Sequence, residues 1–172
     1  EATADIFAAG LSAAPDLVAG GGTLPPWVAV TRGALLKIAA SGSISWGDPS
    51  RPSGPGGQAN PFHGGPPGSF IKGFGAISGF SDFFTSFGLV GLFTGPDGQV
   101  GNIFLIGTRF NVIVPLGATR IYLGIPDAEG FIGNPGFYSD NSGSFLVSVV
   151  DPPTGVPEPG TAALLLSTLI GL

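Results

Sequence analysis

The side chains best able to bind a cation are concentrated in one stretch of this sequence. Asp127 and Glu129 open the stretch, and Asp140 and Asn141 close it. No Lys, Arg or His lies between residues 121 and 150, so Asp127 and Asp140 would repel each other at close range unless a cation lay between them. Calcium suits such a group because it takes about six to eight oxygen ligands and tolerates carbonyls from irregular loops, whereas magnesium demands octahedral geometry. The pattern predicts a calcium site, with magnesium as the weaker candidate.

Two other interpretations of the same residues remain open. Asp140-Asn141-Ser142-Gly143 is also ordinary turn chemistry, because Asx side chains bond their own backbone and glycine adopts positive φ. A pair of carboxyl groups, Asp127 with Asp140 or Glu129, could instead hydrolyse a glycosidic bond. Hydrolysis needs an apolar surrounding that raises one pKa. The sequence shows no such surrounding, so we expect a protein that is not an enzyme and has no catalytic residue.

Composition excludes several other classes of site. The chain has 172 residues, no cysteine and one histidine, His63, which excludes disulfides, thiol chemistry and cysteine-ligated zinc or iron–sulfur centres. Eleven acidic and six basic residues give a net charge of −5, so a nucleic-acid partner is not expected, since phosphate binding needs a basic patch. Glycine (31) and proline (17) are abundant, yet 43% of the residues are hydrophobic. Together these values are typical of a β-rich domain with many tight turns.

The elements that must position the acidic residues are short strands. Apolar or alternating runs separated by turn residues predict eight or nine strands and no amphipathic helix of useful length. The fold class is therefore all-β, an antiparallel β-sandwich spanning residues 1–151. The predicted strands are residues 6–9, 27–30, 34–40 leading into 41–46, 89–94, 102–106, 110–114, 119–124 and 144–150.

Three connecting segments complete this prediction. The composition of residues 48–68 indicates a long loop, and the phenylalanines of residues 70–87 favour core packing over an aromatic binding surface. Residues 125–143 would join two neighbouring strands, so that Asp127 and Asp140 would face each other at one end of the sandwich.

Three segments resemble the calcium-dependent galactose-binding lectins of bacteria: ASGSISWG (residues 40–47), LGIPD (123–127) and DNSGSFLV (140–147). The resemblance implies a lectin-like, galactose-binding-like sandwich in which one calcium ion takes two vicinal sugar hydroxyls at its open positions. The ligands it implies are the side chains of Asp127, Asp140 and Asn141 and the carbonyls of Trp46 and Phe137. Two departures stand out. Residues 128–137 form a longer loop than in the lectins, and the loop after Trp46 is rich in Gly and Pro. The candidate sugar contacts are Asn141, Gln58 and His63.

The C-terminal segment differs in character from the domain. Residues 152–160 form a Pro/Gly linker that contains Pro157, Glu158 and Pro159, and residues 161–172 (TAALLLSTLIGL) are almost wholly apolar. Twelve residues are too few to cross a bilayer, which needs about twenty. Taken alone, the run could be a terminal helix packed on the domain. Pro-Glu-Pro followed by a leucine run resembles the PEP-CTERM sorting signal of Gram-negative bacteria, with the final basic cluster lost to truncation.

The resemblance to the sorting signal implies an export pathway as well as a final location. It implies recognition by an exosortase, transient anchoring in the inner membrane by the truncated C-terminal hydrophobic helix, and delivery to the cell envelope or extracellular matrix. The combined expectation is an exported protein that binds a polysaccharide or other glycan through calcium. The alternative is a structural biofilm or surface protein in which calcium, if bound, only rigidifies loops.

Overall fold

The computed structural model of the protein describes residues 1–14, 20–59, 70–81 and 85–151. Within those ranges the chain forms short strands and three single-turn 3₁₀ helices, Ile6–Ala8, Glu129–Phe131 and Tyr138–Asp140. None of the helices in the described ranges has the length and apolar character needed to cross a bilayer. The strands are β1 (Trp27–Ala29), β2 (Leu35–Trp46), β3 (Gln58–Ala59), β4 (Phe70–Ile71), β5 (Phe80–Ser81), β6 (Thr85–Ser86), β7 (Val90–Gly95), β8 (Gly98–Leu105), β9 (Arg109–Ile113), β10 (Arg120–Gly124) and β11 (Asn141–Val150).

Two antiparallel sheets make up most of the fold. One sheet has four strands in the order β1-β10-β7-β8, and the other has three in the order β11-β2-β9. Alternate residues of both sheets, such as Leu36 and Ile38 of β2 and Ile121 and Leu123 of β10, point into one shared core. The prediction of an all-β antiparallel sandwich is confirmed. Two two-stranded ribbons, β3-β6 and β4-β5, lie outside the two sheets.

The two inner strands of the four-stranded sheet, β7 and β10, are buried on both faces. Val90, Leu92 and Tyr122 point away from the other sheet and pack with Phe7 and Phe131 in a second hydrophobic cluster. A strand buried on both faces is apolar throughout rather than alternating, and the first four residues of β7 are all buried. This second cluster forms the floor beneath the candidate site.

Most predicted strands are confirmed, with boundaries shifted by a few residues. Residues 34–40 and 41–46 form the single strand β2, whose partner is the full length of β11. The predicted strand at residues 6–9 is wrong, because the Asp5 carboxylate accepts the N–H of Phe7 at 2.8 Å and so winds the chain into a 3₁₀ turn. The expectation for the phenylalanines holds in part, since Phe80 and Phe87 are buried and Phe70 is 48% exposed.

The connection across residues 125–140 also differs from the prediction. We expected it to join neighbouring strands, but β10 belongs to the four-stranded sheet and β11 to the three-stranded sheet. The segment therefore crosses from one sheet to the other over the end of the sandwich. The predicted linker and sorting helix at residues 152–172, with Pro157, Glu158 and Pro159, lie outside the described residues, as does His63.

Candidate functional site

Asp127 is a buried carboxyl group at the point where the chain leaves β10. Its side chain is 2% exposed, and its Oδ2 accepts a hydrogen bond from Asn141 Nδ2 at 2.7 Å. Burial raises the pKa of Asp127 to about 8, partly offset by the Asn141 and Ala128 hydrogen bonds. Among the described residues, the charged groups that act on it, Asp140 and Asp5, are both carboxylates and raise the pKa further. The ionised form of Asp127 is therefore disfavoured, and a nearby cation would stabilise it.

A tyrosine hydroxyl fixes the backbone around Asp127. Tyr138 Oη accepts the N–H of Asp127 at 3.2 Å and lies 2.9 Å from both Asp5 Oδ1 and the carbonyl of Ile125. The single phenolic proton can serve only one of those two acceptors at a time. Burial, with the charges of Asp5 and Asp127, raises the pKa of Tyr138 well above its ordinary value, so the hydroxyl keeps its proton. This network joins the N-terminal segment to both ends of the crossing segment.

Asp140 is placed by the pairing of β11 with β2. Asn141 pairs with Trp46, and the carbonyl of Asp140 accepts the N–H of Gly47 at 3.1 Å just beyond the end of the ladder. A Cβ added to Gly47, which has a φ of +57°, would lie 3.1 Å from Asp140 Oδ2. The carboxylate of Asp140 therefore lies directly over a glycine, and it is exposed to solvent.

The wall beside these acids is aromatic and conformationally strained. Trp46 stacks on Phe87 with ring centroids 5.0 Å apart, and Phe87 meets Phe131 edge-on at 5.7 Å. Within the described ranges, the non-glycine residues with positive φ are Phe87, Phe131 and Phe137. Such backbone costs of order 1–3 kcal/mol per residue and tends to occur at functional sites.

These groups surround one cavity of about 170 Å³, hereafter the acidic cavity. Four of the five predicted calcium ligands line it: Asp127, Asp140, Trp46 and Phe137. The fifth, Asn141, donates to the carboxylate of Asp127. The acidic cavity is lined by Trp46, Phe87, Asp127, Ala128, Glu129, Gly130, Phe137 and Asp140.

The chemistry of these side chains fits a calcium ion. Both amide protons of Asn141 have acceptors, Asp127 Oδ2 and the carbonyl of Ala2, while its Oδ1 is buried and has no hydrogen-bond partner among the described residues. A buried oxygen without a donor is costly and is a natural ligand for a hard cation. Across residues 1–14, 20–59, 70–81 and 85–151, no three His, Cys, Asp or Glu side chains form a potential metal cluster. A calcium ion here would therefore depend on the Asn141 amide and backbone carbonyls as well as two carboxylates.

Two sequence-based expectations about this region are not met: the absence of an apolar surrounding for the acids, and a place for Gln58 at the site. Nothing in the sequence suggested an apolar surrounding for the acids, yet the burial of Asp127 raises its pKa to about 8, so that argument against hydrolysis is wrong. Gln58 does not line the acidic cavity. Its Nε2 instead donates to the carbonyls of Arg51 and Pro52 at 2.8 and 2.7 Å.

Sequence reasoning missed three residues that shape the site. Asp5 and Tyr138 form the hydrogen-bond network under Asp127, and Phe87 supplies the aromatic wall. The one local signal was Asp5 followed by Ile6 and Phe7, since an aspartate often bonds the backbone N–H two residues later. The other two contacts join distant parts of the chain and leave no local pattern.

Comparison with known proteins yields a similarity of structure only. No family model matches the sequence, and no curated protein matches it. Among solved structures, the chain is similar to one described as "EclA N-terminal domain; PllA-like lectin". The identity is 20%, the match covers 73% of this chain and 82% of that chain, and the TM-score is 0.44. A similarity at this level assigns no function, so the function has to be argued from the acidic cavity.

Proposed function

We propose that the acidic cavity holds one calcium ion and that the protein uses this site to bind hydroxyl groups of an envelope or matrix polysaccharide. The observation that carries the proposal is a buried carboxyl group, Asp127, whose charged neighbours among the described residues are both acids and whose amide partner, Asn141, has a buried oxygen with no donor among those residues. A cation is the simplest group that satisfies all of these oxygens at once.

The residues that would hold the ion come from both sheets and the segment between them. Asp127 and Asp140 would supply carboxylate oxygens, Asn141 its amide oxygen, and Trp46 and Phe137 backbone carbonyls. The bound ion would supply open coordination positions that accept neutral sugar hydroxyls. The network of Tyr138 and Asp5 would hold the backbone of Asp127 in place, so that little reorganisation accompanies binding.

Terbium luminescence tests the metal site directly. Trp46 lines the acidic cavity, whereas the other tryptophan of the chain, Trp27, lies in β1 and lines a different cavity. Excitation of tryptophan alone in wild-type protein loaded with terbium should therefore give sensitised emission that calcium displaces, and Trp46→Phe should remove it while Trp27→Phe should not. Emission that persists in Trp46→Phe, or that calcium fails to displace, would contradict a metal in this cavity.

Glycan binding with and without EDTA tests the sugar step. Wild-type protein should bind a subset of immobilised glycans in calcium and lose that signal in EDTA, and Asp140→Asn should bind weakly. Asp97→Asn, at an exposed position in the turn between β7 and β8, is the matched control and should bind normally. Calcium that raises the Tm of a protein binding no glycan would favour the structural alternative. A carboxyl group with a raised pKa, such as Asp127, could also act as the acid in glycoside hydrolysis. Glycans that are cleaved on the array would therefore indicate hydrolysis instead of binding alone.

Export is the remaining part of the proposal. Pro157, Glu158 and Pro159 and the leucine run after them suggest sorting by an exosortase to the envelope or matrix of a Gram-negative bacterium, after transient anchoring in the inner membrane. In a host that has an exosortase, the chain extended by an export signal, a full-length hydrophobic helix and a basic cluster should reach the surface fraction, and replacing the three residues by alanine should retain it in the inner membrane. Equal surface delivery of both forms would refute sorting through this segment.

A further inference from the structure

We propose that β11 is an assembly edge, through which a second copy of this chain pairs in antiparallel fashion. In the three-stranded sheet β11 is an outer strand, and among the described residues its only paired strand is β2. It runs for ten residues, Asn141–Val150. Unpaired strand edges of that length are uncommon because they attract other strands.

The backbone groups of alternate β11 residues point away from β2. The carbonyl of Asp140 bonds to Gly47 on the side of β2, and the carbonyl of Gly143 bonds to the N–H of Ala2 on the opposite side. By the alternation of an antiparallel ladder, Phe145, Val147 and Val149 also present their N–H and C=O groups outward. The N-terminal segment thus covers the edge at Gly143, and among the described residues the rest of the strand has no second partner strand.

β11 lacks the residues that usually prevent a second strand from pairing with a free edge. Natural edges carry Lys, Pro or a bulge that blocks a second strand. Residues 141–150 include no charged residue and no proline, and the pairing with β2 runs in continuous register. The side chain of Leu146, on the solvent face of the sheet, is 78% exposed, so the middle of the strand is apolar and, within the described ranges, unpaired on the side away from β2.

An apolar cleft lies beside β11, and a strand added to this edge would cover it. It has a volume of about 370 Å³ and lies between the two sheets, with Val28 of β1 and Leu123 of β10 on one side and Phe145, Val147 and Val149 of β11 on the other, and Glu1 also lines it. A strand added to β11 would extend the smaller sheet over this opening. The hydrophobic effect would then add to the backbone hydrogen bonds.

The occupant that fits is a second copy of the same strand. Antiparallel self-pairing about Val147 places Phe145 opposite Val149 of the other copy, so three residue pairs exchange about six hydrogen bonds. The chain has a net charge of −5, so two copies repel each other on the whole, but this strand is neutral. In this register Asp151 faces Gly143 of the other copy, and no acid lies opposite an acid.

Pairing would have a consequence for binding that rests on the proposed function. Asn141 lies six residues from the centre at Val147, so the two acidic cavities would lie at opposite ends of the joint, roughly 40 Å apart at about 3.3 Å per residue. Two sites on one rigid unit would bind a repeating polysaccharide with gain from effective concentration. The pairing itself is independent of any ligand.

Mass measurement tests the pairing on the full chain. Sedimentation velocity in EDTA should give a species of twice 17.1 kDa that dissociates on dilution. Leu146→Lys should shift the chain to monomer, and Ser148→Lys, at another exposed position of β11, should do the same. Ile113→Lys, at a 60% exposed position on the other edge strand of the same sheet, should leave the dimer intact. A monomeric wild type, or a dimer that survives both β11 variants, would overturn the proposal.

Hydrogen exchange supplies a readout that needs no variant. The amides of Phe145, Val147 and Val149 should exchange slowly at high protein concentration and faster on dilution. Protection that does not change with concentration, in a monomeric chain, would mean that another segment of the same chain covers the edge, and would also overturn the proposal. Loss of glycan binding with the dimer retained would refute the proposed function and leave the pairing standing.

Discussion

The buried Asp127 carboxyl makes stability fall with rising pH in the metal-free protein. Its ordinary pKa is 3.8 and its folded pKa is about 8, so between those values the folded chain holds a proton that the unfolded chain has lost. The free energy of unfolding therefore decreases by about 1.4 kcal/mol per pH unit from this group. Its stabilising contribution is complete below about pH 4 and is lost as the pH rises through about 8.

Between about pH 5 and about pH 8 the free energy of unfolding should fall by roughly 4 kcal/mol because of Asp127. That is a large part of the 5–15 kcal/mol typical of a whole domain. Urea unfolding in EDTA at several pH values measures it. Asp127→Asn should be nearly flat over this range, because the Asn side chain cannot ionise and its oxygen can still accept the 2.7 Å hydrogen bond from Asn141. The variant should therefore be more stable than wild type at about pH 8 in EDTA.

Calcium should reverse that order. Binding requires the ionised form of Asp127, so calcium affinity should rise about tenfold per pH unit up to about pH 8. Saturation to about 100 times Kd should stabilise wild type by about 2.7 kcal/mol and Asp127→Asn much less. Equal pH slopes for wild type and Asp127→Asn in EDTA would refute the reasoning, since the slope would then come from other groups.

Two further substitutions probe the scaffold of the acidic cavity. Tyr138→Phe removes the hydroxyl that bonds Asp127 N and Asp5 Oδ1, and urea unfolding should show a loss of about 1–3 kcal/mol; an unchanged midpoint would mean that the network contributes nothing. Gly124→Ala places a Cβ 2.7 Å from the carbonyl of Ala4, so Tm should fall as the N-terminal segment is displaced, whereas Gly56→Ala, with open space around it, should be neutral.

The strands were predictable because their signals are local. In β11 the apolar residues Phe145, Val147 and Val149 alternate with exposed neighbours, and period-two alternation is visible without any tertiary knowledge. The assignment of strands to sheets was not predictable in the same way. β10 and β11 follow each other in sequence, and nothing in either strand shows that the chain changes sheets between them.

The candidate site was predicted in part, but the structural reason given for it differs from the one found in the structure. Asp127 and Asp140 do line one cavity, but the strands next to them, β10 and β11, are not neighbours in one sheet. The contacts that bring them there are the Asn141 amide on Asp127 and the hydroxyl of Tyr138, which reaches Asp5 across 133 positions of sequence. Contacts at such separations depend on the whole fold, so a single sequence cannot show them.

Several unfavourable features of this domain lie at one cavity, and that grouping is itself an argument for function. The lining includes a buried acid with a raised pKa and the left-handed backbone at Phe87 and Phe137. Asn141, which bonds that acid, has a buried amide oxygen with no donor among the described residues. Each costs of order 1–3 kcal/mol or more. Asparagine at position 127 would remove the first of these with little change in shape, so stability alone gives no reason for the acid. A bound cation gives one, because the ionised carboxylate and the amide oxygen then become ligands and cease to be unsatisfied.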